Sequence, residues 1–152
     1  MDEARRVMGI DYGEARIGVA LSDPLALFAT PYCVITRSSL QADFAALRAI
    51  AEEQQVVKVV IGLPTDAHSN VGAQAAIVIR WARQLARHLR LPVVFWDESY
   101  SSVNAEQFVR RRKGRPEPLD DVAAAIMLQE YLDARETEDE PGQPLEAYAD
   151  IP

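Results

Sequence analysis

The run Val7-Met-Gly-Ile-Asp11-Tyr-Gly13, followed at once by Ala15-Arg-Ile-Gly-Val-Ala-Leu-Ser22, constrains the fold of this chain more than any other stretch. An apolar segment carries one carboxylate to its end, a glycine turns the chain, and a second apolar segment returns. That pattern predicts two antiparallel strands with Asp11 at the rim of a sheet. A buried type of strand has no packing use for a charge. Asp11 therefore has two readings: a ligand for a divalent cation, or an acceptor for the backbone of its own turn.

Hydrophobic periodicity places the remaining elements. Residues 5–11 and 15–22 form the hairpin, and 31–36 reads as a third strand. Across 40–54 the apolar positions Leu40, Phe44, Leu47 and Ile50 fall at helical spacing. Residues 56–61 read as a buried strand stopped by Gly62 and Pro64. A long helix over 72–89 carries Ile77, Trp81, Leu85 and Leu89 on one stripe. Residues 92–96 form a fifth strand that ends in Asp97-Glu98, and helices over 102–111 and 120–134 follow. Three antiparallel strands and then helix–strand alternation predict a mixed five-stranded α/β sheet, its later strands parallel to the first, with helices on both faces.

The chain has 152 residues, 49% apolar and 26% charged, which suits one soluble globular domain with a core of its own. No stretch approaches the ~20 apolar residues of a membrane span, and no apolar signal region precedes Val7. Cys33 is the single cysteine, so no internal disulfide is expected and a reducing, cytoplasmic compartment is. The net charge of -7 is unevenly spread. Residues 1–129 hold 15 acidic and 15 basic side chains, whereas 130–152 hold eight acidic ones against Arg135. The expected division is thus a domain over 1–135 and an acidic, proline-containing, flexible tail over 136–152, the alternative being that Leu145, Tyr148 and Ile151 dock it on the domain or on a partner subunit.

Sites in such a sheet form at the C-terminal ends of its parallel strands. Asp11 and the Asp97-Glu98 pair stand at two such ends, and Asp120-Asp121 opens the last helix after Pro116 and Pro118. Oxygen ligands alone suit Mg²⁺ or Mn²⁺, and two such ions bridged by a carboxylate suit attack of water on a phosphodiester. Each acid also has an ordinary use: Asp120 or Asp121 as a helix cap, Glu98 as a solvent-facing loop residue. His68 and His88 lack zinc-ligand spacing with any cysteine, and no Walker-type phosphate loop is present. Arg110, Arg111, Arg112, Lys113 and Arg115 form a dense basic run just ahead of the last acids, placed to contact nucleic-acid phosphates. Arg80, Arg83, Arg87 and Arg90 recur along one helix face, an ordinary solvated face or a secondary contact.

Taken together these residues resemble the YqgF/RuvX family of the RNase H-like superfamily. The resemblance rests on Gly9-Ile-Asp-Tyr-Gly-Glu-Ala-Arg-Ile-Gly-Val-Ala-Leu-Ser-Asp23, on Ile61-Gly-Leu-Pro64, on Asp97-Glu98 with the following Ser-Ser-Val, and on Leu119-Asp120 through Tyr131-Leu132. It implies an RNase H-like fold and a metal-bound site of Asp11, Glu98 and Asp120, taking Asp120 rather than Asp121 by motif position. It implies a nuclease for structured nucleic acid, with two substrates proposed: precursor small-subunit ribosomal RNA trimmed at its 5′ end, and branched DNA of the Holliday-junction type. Substrate shape would be read by basic surfaces and by a homodimer, should one form. Two positions depart from the family pattern: Ser99, where Arg is usual, and the loop Thr65-Asp-Ala-His-Ser69, which lacks the usual Asn and Asp-Gly step. The competing classes are an actin-like phosphate-binding module, which needs a second such domain, and a non-catalytic binding module, which would gain nothing from gathering three acids.

Overall fold

The computed structural model describes residues 5–65, 71–98 and 119–152. β1 (Arg6–Tyr12), β2 (Arg16–Ser22) and β3 (Ala29–Thr36) are consecutive antiparallel strands. β4 (Val56–Leu63) lies parallel beside β1, and β5 (Val93–Asp97) lies parallel beside β4. Parallel neighbours need a crossover, and here α1 (Leu40–Glu53) and α2 (Ala73–Leu89) supply them. The expected helix over 102–111, the basic run from Arg110 to Arg115, and the loop 66–70 lie outside the described residues.

The helices divide between the two faces of the sheet. Under α1 and α2 lies one core, built from Met8, Ile10, Ile17, Val19, Val59, Ile61 and Phe95 with Phe44, Leu47, Val78, Ile79 and Leu85. Under α3 (Asp120–Ala134) lies the other, built from Val7, Ala20 and Val60 with Ala124, Met127, Leu128 and Tyr131. α3 is buried along most of its circumference, as expected of a helix whose residues are apolar on nearly every side. α1 starts at Ser39, whose side chain accepts from the Ala42 amide.

Two sequence expectations are corrected. The stripe on α2 does not face inward as a unit: Ile77 is exposed, while Ala75, Val78, Ile79, Trp81, Ala82 and Leu85 are buried. A row at strict four-residue spacing advances about 40° per step around a helix of 3.6 residues per turn, so it winds off the buried face.

The tail expected to be flexible is docked. Gln143–Pro144 forms a sixth strand, β6, antiparallel to β5, and gives the order β3-β2-β1-β4-β5-β6. A 3-10 turn follows over Leu145–Tyr148. Leu145, Tyr148 and Ile151 pack against the core beneath α2, with the Tyr148 ring edge-on to Phe95 at 5.4 Å. The Arg83 guanidinium donates to the Tyr148 carbonyl, and Arg80 donates to that of Pro152 at 3.4 Å. Part of the arginine stripe thus holds the tail. The physical reason is the outer edge of β5, which would otherwise leave backbone groups unpaired.

Candidate active site

Pleat alternation decides which acids can meet. In β1, Met8 and Ile10 face α1 and α2 while Val7 faces α3, so Asp11 points to the α3 side. In β5, Val93 and Phe95 face α2, and Val94 and Trp96 pack on the α3 side. Asp97 therefore falls on the α2 side, where Thr65 Oγ1 donates to it. Glu98, one residue further, returns to the face of Asp11. Its backbone N–H donates to the Leu63 carbonyl at 3.1 Å, so it extends the register of β5 against β4. Between Asp11 on β1 and Glu98 after β5 stands Gly62 of β4. A Cβ there would lie 2.1 Å from Glu98 Oε1, so the carboxyl group rests on bare backbone and reaches across the strand.

The third acid comes from the start of α3. Leu119 takes the cap position without a side-chain bond, and the Asp120 carboxylate turns instead to Arg16, Nε to Oδ2 3.0 Å. The end of α3 approaches closely because Gly18 has no side chain: a Cβ on it would sit 1.9 Å from the Asp120 carbonyl oxygen. Gly18 is also the register partner of Asp11. Asp121 is buried elsewhere, accepting from the Val122 amide at 3.0 Å and adding to the charge that, after burial, raises the Cys33 thiol.

Asp11 and Glu98 are hydrogen-bonded to one another through their side chains. Burial, and then the charge of Asp120, push Asp11 up to about 6, against a lowering by the bond to Glu98. Burial, the charge of Asp11 and the hydrogen bond with it push Glu98 up to about 8, with smaller contributions from Glu130 and Asp97. Both acids are raised, so the pair as a whole retains a proton toward neutral pH, shared in the hydrogen bond between them. Glu130 is itself tied to the site wall, accepting from Trp96 Nε1 at 3.3 Å.

Among the described residues, no three histidine, cysteine, aspartate or glutamate side chains are drawn together tightly enough to enclose an ion. Two of the three acids share a hydrogen bond and the third is ion-paired to Arg16. The donor chemistry nevertheless fits a hard divalent cation: oxygen only, partly buried, and with negative charge that the surroundings oppose. Asp11, Glu98 and Asp120 thus occupy one corner of the molecule, on one face of the sheet. Sequence reasoning assigned no role to Arg16 or Gly18, and it took Gly62 for the stop of a strand that in fact runs through it to Leu63. A glycine inside an otherwise apolar strand is the signal for both glycines, since it marks close approach of another group.

The mixed sheet of three antiparallel and then parallel strands, with helices on both faces, is a fold shared with RuvC-like resolvases. The chain superposes on T. thermophilus RuvC in complex with a Holliday junction substrate with a TM-score of 0.63 at 18% identity, covering 92% of this chain and 99% of that one. It also superposes on the Fowlpox virus resolvase in its Holliday junction complex, with a TM-score of 0.53 at 10% identity, covering 86% and 98%. The chain belongs to the RuvX family, whose model, described as a Holliday junction resolvase, matches residues 5–134. A relative from Syntrophomonas wolfei named "Putative pre-16S rRNA nuclease" is 41% identical over 132 residues, 84% of this chain and 94% of that protein. One of the same name from Cereibacter sphaeroides is 42% identical over 129 residues, 82% and 81%.

Proposed function

We propose that this chain is a divalent-cation-dependent nuclease that hydrolyses phosphodiester bonds in structured nucleic acid, with Asp11, Glu98 and Asp120 as the ligands of Mg²⁺ or Mn²⁺. The observation that carries the reading is the Asp11–Glu98 pair, two half-buried acids bonded across a strand that has no side chain between them. A fold gains nothing from such a pair unless something positive is meant to join it. When bound, one or two cations supply an acidified water and neutralise charge developing on the phosphoryl oxygens.

The chain's own residues do the remaining work. β1 and β5 hold Asp11 and Glu98 on rigid sheet, so the pair is positioned before substrate arrives. The Asp11–Glu98 pair keeps a proton in its hydrogen bond, and both carboxylates would have to shed it to hold a cation. α3 carries Asp120 to the same rim through its contact with Gly18. The basic run Arg110, Arg111, Arg112, Lys113 and Arg115 supplies phosphate contacts.

The names of the curated relatives favour trimming of precursor 16S ribosomal RNA, and the proposed compartment of that work is the cytoplasm. The description of the family model favours branched DNA as the second reading. The test is cleavage of a precursor-16S 5′ leader RNA and of a four-way DNA junction, each with Mg²⁺, Mn²⁺ or EDTA. Cleavage that needs the cation, and that falls about a hundredfold or more in Asp11→Asn, Glu98→Gln and Asp120→Asn, supports the reading. Full activity in EDTA, or a silent Asp120→Asn beside a damaging Asp121→Asn, refutes the ligand set. Sedimentation of the chain with and without substrate tests for the homodimer.

A further inference from the structure

The ion pair between Arg16 and Asp120 is poorly suited to a structural role. Its side chains are 45% and 24% exposed, and exposed pairs contribute about 0–1 kcal/mol. α3 is already anchored by its buried apolar residues. The backbone around Arg16, by contrast, is firmly held. Arg16 pairs with Thr36 of β3, and the neighbouring Ala15 carbonyl accepts from the Arg37 amide at 3.0 Å. The Arg37 guanidinium donates to Tyr12 OH at 2.9 Å and to the Gly13 carbonyl at 3.3 Å, and lies over the Tyr12 ring. A fixed stem therefore carries a half-exposed cationic head at the rim of the acid site.

By the pleat of β2, Arg16 lies on the same face as Gly18 and Ala20, the face of Asp11 and α3. Its Nε sits on Oδ2 of Asp120, one of the two oxygens of a carboxylate offered to the cation. A divalent cation on Asp120 would draw charge from the same carboxylate, so loading the site weakens the hold of Asp120 on Arg16. A guanidinium released there has the planar fork that matches a phosphate oxygen pair.

We propose that Arg16 is a phosphate-positioning residue, stored on Asp120 in the unloaded site and handed to a backbone phosphate of the substrate when a divalent cation takes Asp120. This rests on the cation reading above, and the experiment separates the two. Arg16→Gln and Arg16→Lys are compared with the unaltered chain in two measurements without turnover. One is Mn²⁺ uptake by calorimetry in the absence of nucleic acid. The other is binding of a structured RNA hairpin in Ca²⁺ across a salt series.

Arg16→Gln is expected to bind Mn²⁺ about two- to fivefold tighter, because Asp120 has lost its competing partner. It is expected to bind the RNA about tenfold more weakly, with a salt slope about one unit shallower. Arg16→Lys should restore the slope while recovering the affinity only in part, since an ammonium lacks the fork. Unchanged or weaker Mn²⁺ binding by Arg16→Gln, with normal uptake by the unaltered chain, overturns the exchange and leaves the cation site standing. An unchanged salt slope overturns the phosphate contact. No Mn²⁺ uptake by the unaltered chain overturns the cation site and the exchange with it.

Discussion

Replacing Glu98 by Gln should make the cation-free protein more stable at alkaline pH while abolishing its activity. Glu98 is raised from 4.5 to about 8 by burial and by Asp11. A carboxyl group whose folded pKa lies above its unfolded one holds its proton more tightly in the native chain. Its contribution to stability is complete below the unfolded value and is lost as pH rises through the folded one. At ~1.4 kcal/mol for each tenfold change in proton affinity, ionising Glu98 in the fold costs at most about 4–5 kcal/mol. Asp11, raised to about 6 by the same causes, adds to the loss over the lower part of the range. Glutamine keeps an N–H donor for Asp11 and never ionises, so its variant lacks the Glu98 part of the loss. The assay is urea unfolding in EDTA at half-unit steps from pH 5.5 to 9. The unaltered chain should lose about 2–4 kcal/mol relative to Glu98→Gln across that window, a melting difference of about 6–12 °C. Millimolar Mg²⁺ should restore the unaltered chain and do little for the variant. Parallel pH profiles for the two proteins in EDTA would refute the argument, because a solvent-facing or already neutralised Glu98 predicts no divergence.

Gly18→Ala should destabilise the fold by about 2–3 kcal/mol, because its methyl group would meet the Asp120 carbonyl oxygen at 1.9 Å. The displaced helix should also cost activity by about a hundredfold through Asp120; wild-type stability and rate would show that α3 does not rest there. Truncation after Arg135 should lower the melting temperature by about 6–12 °C, from about 2–4 kcal/mol of lost packing by Leu145, Tyr148 and Ile151. An unchanged melting curve would return the tail to the status of a loose extension. Neutralising Arg111, Arg112 and Lys113 together should flatten the salt dependence of nucleic-acid binding by about two to three units. An unaltered slope moves the binding surface elsewhere.

Local chemistry was readable without a structure. The hairpin around Asp11, the strand over 56–61, which runs on to Leu63, and the helices Leu40–Glu53 and Asp120–Ala134 follow from periodicity and turn residues, which act over a few positions. Motif resemblance selected Asp11, Glu98 and Asp120, and the fold brings these three to one face. Tertiary structure decided what depends on which surface meets which. Alternation alone says that Asp97 and Glu98 point oppositely, yet only the placement of α3 says which of them joins Asp11. The partnership of Arg16 with Asp120 spans 104 residues and exists because Gly18 lets a helix end descend onto β2. The tail read as a solvated extension because composition counts its acids. Its three apolar residues acquire a destination only once the strand order leaves the edge of β5 open beside them. Short-range preferences are written residue by residue, whereas the faces and edges that give side chains their partners come into being only when distant segments pack.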